Sequence, residues 1–375
     1  MGSVTRSSLV GAVHRCVLGG CGIRWPELML YVLSERASCN HVAWGTSYEL
    51  EEILVRTCDA KVLAPKAWSI HPKLDIGLGK LIPHRYHSLP IQDAGGGTLI
   101  AICMGPPSLR MFDALKDWRR RFDRVAAYVI DLYPGAERRL PLSICKQLDA
   151  LFISYEQMLP AVGSLVSCPV HLVLQAADVF GQGAGGGARP FDLSAYGRQP
   201  GELVSRLANR VNRQGSGTIF LHSTSSFPYV SDWRLDRALF WQMLRRTRIS
   251  ICFPFSRTHP SAYRGIDPLT ARWFEGIAGG CVLAGRRPTS PEASRALHWE
   301  DSVVALPDNE EEAIEAVLAL ARDVERCESI SRRNFQAAAA SHDWRHRIAE
   351  MFSCLGMASP PRLQEELASL RDRVL

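Results

Sequence analysis

No stretch of the 375-residue chain reaches the roughly 18 unbroken apolar residues that a membrane span requires. The nearest approach, Cys16 to Leu33, is interrupted by Arg24, Pro26 and Glu27, and no small-residue cleavage site of a secretory leader follows it. There is no CxxC pair, and none of the 11 cysteines stands in zinc-ligand spacing with a histidine. Most cysteines sit inside apolar runs such as Ile251-Cys252-Phe253, and their number is odd, which reads as buried free thiols in a reducing compartment. A cytoplasmic protein with no metal centre is expected. Internal repeats are lacking. A hydrophobic share of 46% with 22% charged residues excludes a disordered tail, a collagen and a coiled coil.

What is present is a mildly basic chain of net charge +6, which suits an anionic ligand or an anionic membrane face without demanding nucleic acid. Its length fits two domains at about 150 residues each. Short β-rich runs alternate with helix-length amphipathic segments, the rhythm of parallel sheets covered by helices. The first set of strands is expected at Val13–Leu18, Val62–Ala64, Thr98–Met104, Val125–Ile130, Leu151–Ser154 and Val170–Leu174. A turn at Gly19–Gly22 and a helix starting near Pro26 would follow the first strand. Ser108 should cap a helix whose exposed face carries Lys116, Arg119, Arg120, Arg121 and Arg124, either a solvated face or one attracted to an anionic membrane.

Residues 181–187 hold five glycines in seven positions, too many for regular structure, so the domain boundary and a hinge are placed there. The reading is a first domain at 1–180, a hinge at 181–188, a second domain at 189–345 and a tail at 346–375. The second domain repeats the rhythm with strands near Phe191–Tyr196, Thr218–His222, Ile249–Phe253 and Cys281–Ala284. In the tail, Leu363, Leu367, Leu370 and Val374 make one apolar helical face, expected to pack back across the first domain. Residues 40–97 give no clear organisation beyond the short Val62–Ala64 strand and are expected to contain acceptor-facing loops.

Two doubly wound domains form a cleft, and ligands of open α/β sheets bind at the strand C-termini. Asp131 stands at such an end, where it could take a proton, orient an acceptor, or merely cap the next turn. Asp267 and Glu275 lie eight residues apart around a helix start that begins near Thr270, followed by Gly279-Gly280. Carboxylates there could accept hydrogen bonds from a ribose diol, and the helix N-terminus could face a diphosphate. The same acids would also suit an ordinary helix N-terminus. His222 ends a strand and could hold a base or phosphate or be structural; His259 lies in a loop beside Arg257.

The run Asp267…Glu275-Gly-Ile-Ala-Gly-Gly-Cys-Val-Leu-Ala resembles the nucleotide-binding motif of glycosyltransferases with the GT-B fold, with Asp267 in place of the usual first glutamate. Asp301-Ser-Val-Val-Ala-Leu-Pro-Asp308 is similar to the family's following strand and acidic segment. Ser341-His-Asp-Trp-Arg-His-Arg347 resembles the last helices of group 1 glycosyl transferases, in particular the spore-maturation-like branch. Tyr196-Gly-Arg198 matches the Gly-Arg closing the donor domain's first strand.

The resemblance implies two Rossmann-like domains and transfer of a sugar from a nucleotide-diphosphate sugar, used as co-substrate, without a metal or other cofactor. The acceptor would be a small molecule, a glycan or a lipid-linked acceptor, and membrane contact at most peripheral. Glu275 would bind the ribose or sugar hydroxyls, Asp267 the sugar, Arg198 the diphosphate, and Gly20 the donor phosphate by backbone approach. No lysine follows Arg198, so a further arginine, Arg264 or Arg272, would supply the second charge. Asp131 would act on the acceptor. The acid pair resembles that of retaining members. Two alternatives stay open: an epimerase or hydrolase on the same fold, or a scaffold that binds donor without turnover.

Overall fold

The computed structural model of the chain describes residues 29–68, 85–91, 94–184, 187–223, 229–258, 260 and 265–373. Among these, two parallel sheets form the frame. The first contains β1 (Leu30–Ser34), β2 (Lys61–Leu63), β3 (Thr98–Cys103), β4 (Arg124–Val129), β5 (Ala150–Ile153) and β6 (Val170–Leu172), in the order β2-β1-β3-β4-β5-β6. The second contains β7 (Phe191–Ala195), β8 (Phe220–His222), β9 (Thr247–Cys252), β10 (Val282–Gly285) and β11 (Val304–Ala305), in the order β11-β10-β9-β7-β8.

The strands of the first sheet read as near-continuous apolar runs because both faces are covered. Alternate residues part to opposite cores, as a pleat requires. Leu33, Leu99, Ala101, Val125, Val129 and Leu151 point into one cluster, and Val32, Ile100, Ile102, Ala126, Tyr128 and Phe152 into the other. The second sheet is likewise sandwiched between two clusters.

Among the described residues, eight longer helices cover the sheets: α1 (Gly45–Cys58), α2 (Gly201–Val211), α3 (Trp233–Arg245), α4 (Ala271–Ala278), α5 (Glu310–Arg322), α6 (Val324–Ser341), α7 (Trp344–Cys354) and α8 (Pro361–Asp372). The last two cross back. Trp344, Ile348, Met351 and Phe352 of α7 and Leu363 of α8 join the core of the first sheet, while Leu370 of α8 joins that of the second. The chain thus has two doubly wound domains, with a C-terminal helix returning to the first.

Three expectations need correction. The helix expected from Pro26 does not extend into Leu30–Ser34, which is β1. Residues 40–97, expected to contain loops and given no helix, hold α1 at Gly45–Cys58. Its buried positions include Thr46, Ser47, Glu49 and Glu51, so polar residues stand where a periodicity search expects apolar ones. The basic helix is a single turn, Trp118–Arg121, preceded by a 3-10 helix at Pro106–Ala114. Asp117 between them sits at φ 56°, which interrupts the helix. Its arginines are partly spent inside the protein: Arg119 pairs with Asp149, and Arg121 donates to the carbonyl of Ile91. The expected strand at Val13–Leu18, the Gly19–Gly22 turn and Gly185-Gly186 lie outside the described residues.

Candidate functional site

In each sheet the strand order reverses once, between β1 and β3 in the first and between β7 and β9 in the second. A crevice opens at the C-terminal ends of strands flanking such a reversal. In the second domain those ends carry Gly197-Arg198 and Phe253–Ser256. Asp131, Tyr133 and Tyr155, just past β4 and β5 of the first domain, meet them.

Asp131 is placed by backbone. Its N–H donates to Met104 O at 2.7 Å, and the Ile130 N–H to Cys103 O at 2.9 Å, so the ladder runs two residues beyond β4. The Tyr155 hydroxyl donates to Asp131 Oδ1 at 2.6 Å and lies 3.2 Å from the Tyr133 hydroxyl. Across the cleft, Arg198 Nη2 donates to the Tyr133 hydroxyl at 3.3 Å. The Tyr133 ring stacks on Phe255 with centroids 4.7 Å apart, and the Arg198 guanidinium lies 5.1 Å from the same Phe255 ring. Burial pushes the Asp131 carboxyl above its ordinary pKa, opposed by the Tyr155 hydrogen bond and the charge of Arg198. Burial also raises Tyr133, to about 12, with the Asp131 charge adding to it, so the phenol keeps its proton.

Arg198 is aimed by the turn before it. Gly197 has φ +64°, and a Cβ there would lie 2.8 Å from Arg272 Nη2, so both backbone and space call for glycine. Arg272 donates through Nη1 to the Arg198 carbonyl, and the Tyr196 hydroxyl donates to the Arg272 carbonyl at 3.0 Å. Two guanidinium groups therefore share the turn after β7. At the start of α4, Thr270 is the N-cap without a side-chain hydrogen bond. The first-turn N–H of Ala271 donates instead to Gln175 Oε1 from the segment after β6, at 2.8 Å.

The two acids of the motif are committed elsewhere. Asp267 is buried and accepts from Ser256 N at 3.1 Å, Ser256 Oγ at 3.2 Å and Thr289 N at 3.4 Å, so it ties the loop after β9 to the loop after β10. Glu275 is buried against Arg237, whose Nη1 donates to its Oε1 at 2.7 Å. Both acids were expected to hold donor hydroxyls; here protein groups occupy them. His222 is exposed at the end of β8, its ring tilted against Phe220 at 5.2 Å. Gly20, Arg264 and His259 lie outside the described residues.

Several residues escaped the sequence reading. Tyr133, Tyr155 and Phe255 are among them, and the available signal was position: each follows a strand end in the same layer as Asp131 or Arg198. His41 is another. Its Nδ1 accepts from Ala43 N at 3.0 Å, and its ring lies 5.4 Å from Tyr229 of the second domain. Burial, helped by the charge of Arg198, holds it below its ordinary pKa and hence neutral at pH 7. Among the described residues, no three His, Cys, Asp or Glu side chains converge as a metal site.

Residues 204–353 match the family model described as glycosyl transferase-like. The two facing sheets are those of the GT-B fold. Anabaena Alr3699/HepE, solved in complex with UDP, is similar with TM-score 0.51 at 9% identity, covering 88% of this chain and 99% of that one. A putative UDP-N-acetylglucosamine 2-epimerase from Listeria monocytogenes is similar with TM-score 0.47 at 11% identity, covering 89% and 98%. TarM gives TM-score 0.46 at 6% identity over 69% of this chain, which spans 54% of TarM. No curated protein matches the chain. Among the described residues of this GT-B chain, no helix is long and apolar enough to cross a membrane.

Proposed function

We propose that the protein transfers a sugar from a nucleotide-diphosphate sugar to an acceptor hydroxyl, such as that of a glycan, in the cleft between its domains. The observation that carries this reading is the meeting of an acid from one sheet, Asp131, with Arg198 from the other, whose turn is held by Arg272. A proton acceptor and a diphosphate-binding guanidinium then face each other at the C-terminal ends of both sheets.

In this reading the acceptor oxygen attacks the anomeric carbon and its proton passes to the Asp131 carboxylate. The bond from the anomeric carbon to the diphosphate oxygen breaks, and its electron pair leaves with the nucleoside diphosphate. Arg198 and Arg272 meet that growing charge. The carboxylate and the guanidinium groups are parts of the fold, so they need little reorganisation during reaction. Direct displacement assisted by Asp131 inverts the anomeric centre. The acid pair that suggested retention is engaged by Ser256, Thr289 and Arg237, which favours inversion.

The test is a thermal-shift series with UDP, GDP, ADP, CMP and dTDP and their sugars, followed by turnover. A ligand at about 100 times its dissociation constant adds roughly 2.7 kcal/mol of stability. One nucleotide should stabilise the protein, and its sugar should be consumed only when an acceptor is supplied. Consumption at full rate without acceptor would make the protein a hydrolase or epimerase; no stabilisation by any nucleotide would remove the transferase reading.

A further inference from the structure

Two phenols, Tyr133 and Tyr155, lie between Arg198 and Asp131. A phenol has one proton. That of Tyr155 is committed to Asp131 Oδ1, the shorter and charge-assisted contact at 2.6 Å. The two phenol oxygens lie 3.2 Å apart, and the Tyr133 hydroxyl is also within hydrogen-bonding reach of the Asp131 carboxylate. The Tyr133 oxygen in turn accepts from Arg198 Nη2 at 3.3 Å. Arg198 N–H thus donates to Tyr133, and the hydroxyls of Tyr133 and Tyr155 both serve the Asp131 carboxylate. Every member donates toward the acid.

Such a chain spans the two domains. Its cationic end belongs to the group that would meet a diphosphate, and its anionic end to the group that would take a proton. Tyr155 is fully buried, so water does not compete for its hydroxyl. The Tyr133 ring is held from below by Phe255, which fixes where its hydroxyl lies. Among the described residues, the charged or titratable groups facing Asp131 are Tyr155 from the loop after β5, Tyr133 from its own loop, Tyr128 from β4 and Arg198 from the second domain. Arg198 is the one cation among them.

We propose that Tyr133 and Tyr155 are positioning residues that couple donor binding to the proton affinity of Asp131. The proposal rests on the reading of Arg198 as a diphosphate ligand. Before the donor binds, Arg198 is directed at Tyr133 and stabilises the Asp131 carboxylate through the chain. A diphosphate claims the guanidinium and brings negative charge near the cleft. Asp131 loses a cation, gains an anion as neighbour, and binds a proton more strongly. The base thereby becomes effective when the donor is in place, and the empty enzyme keeps a weaker one. No bond is made or broken in this step; only the hydrogen-bond partner of Arg198 changes.

The experiment is a pH titration of the Asp131 carboxyl by carbon NMR on the full chain labelled at aspartate Cγ, with Asp131→Asn supplying the assignment. Inorganic pyrophosphate and UDP are the probes, and calorimetry measures their binding to the same samples. In wild type, saturating probe should move the Asp131 midpoint upward by about one pH unit, the lower end of the range for a change of neighbouring charge. In Tyr133→Phe the midpoint of the free protein should already be higher, and the probe should add less than half the wild-type shift. Tyr155→Phe should raise the free-protein midpoint further, since it removes the direct hydrogen bond. Melting temperatures of both variants identify any loss of folding, and the midpoints are read on folded protein.

Probe that binds wild type but leaves the Asp131 midpoint unmoved overturns the coupling while the diphosphate site stands. A wild-type-sized shift in Tyr133→Phe also overturns it, because the chain would then be unnecessary. Probe that fails to bind, or binds Arg198→Ala as tightly as wild type, overturns the diphosphate reading and the coupling together.

Discussion

Arg237 joins the two domains by holding a carboxylate from each: its Nη1 lies 2.7 Å from Glu275 Oε1 of α4, and its Nε and Nη2 lie 3.0 and 2.6 Å from the carboxylate of Glu49 in α1. The three side chains are no more than 10% exposed. Trp241 Nε1 donates to Glu49 as well.

Removing one partner of this cluster should therefore show as lost stability. Breaking a buried pair costs about 3–5 kcal/mol because the remaining charge is uncompensated. Glu275→Gln should lower the melting temperature by at least about 5 °C. Nucleotide affinity of the folded variant should stay within about threefold of wild type. A tenfold loss of nucleotide affinity at unchanged melting temperature would return Glu275 to the donor site.

The acid at the cleft carries a pH signature of opposite kinds in activity and stability. Asp131→Asn should lower turnover by about 10² to 10⁴, the usual contribution of a general base, with nucleotide binding retained. In wild type, kcat/KM should rise with pH through the Asp131 pKa, which burial sets above the usual carboxylate range against the Tyr155 hydrogen bond and the Arg198 charge. A carboxyl with a raised folded-state pKa stabilises the fold only below its unfolded pKa and loses that contribution as pH rises through the folded one. The Asn variant should consequently melt at or above the wild-type temperature at pH 7 to 8, with the difference vanishing near pH 4. A variant that is less stable than wild type at pH 8 would contradict this sign.

How far the sequence revealed this arrangement depended on which forces leave a local trace. Strands such as Val125–Ile130 were legible because both faces of a parallel strand are buried, which forces a continuous apolar run. Arg198 was legible through Gly197, where the turn and the Arg272 side chain leave no room for a Cβ. α1 was not, because its buried face carries Glu49 and Glu51, whose partners Arg237 and Arg36 lie on other elements. The same reason hid the partner of Glu275: a carboxylate in a glycine-bounded helix looks alike whether it meets a ribose or an arginine 38 residues away. Tyr133 and Tyr155 meet only in three dimensions.

The two arginines of the turn after β7 should differ in how they fail. Arg198→Ala removes a charge-assisted hydrogen bond to an anion, worth about 1.5–3 kcal/mol, so nucleoside diphosphate affinity should fall roughly 10- to 100-fold with little change in melting temperature. Arg272→Ala should lose comparable affinity and also some stability, since its guanidinium holds the Arg198 carbonyl. Calorimetric titration of both variants with the stabilising nucleotide checks this. Equal affinity of Arg198→Ala and wild type would remove Arg198 from the donor site.

The tail helix should matter to both domains at once. Leu363 and Leu370 are both fully buried, the first in the core of the first sheet and the second in that of the second. Each Leu→Ala change should cost about 2–5 kcal/mol, read as a drop in denaturation midpoint. Between them lies Glu366, which accepts from Arg345 Nε; Arg345 is itself buried, with Asp178 at 2.9 Å and Asp343 at 2.8 Å. Burial raises the Glu366 pKa, but the hydrogen bond and charge of Arg345, with Arg56, outweigh it and bring the group below its ordinary value. A depressed carboxylate contributes stability above its unfolded pKa and loses it as pH falls through the folded one. Glu366→Gln should therefore be less stable than wild type at pH 7, and the two melting curves should converge below about pH 4. If α8 were fastened to the first domain alone, Leu370→Ala would leave unfolding unchanged while Leu363→Ala would not. Equal losses from both would make the helix a strap across the cleft-forming domains, holding them at the separation at which Asp131 and Arg198 meet.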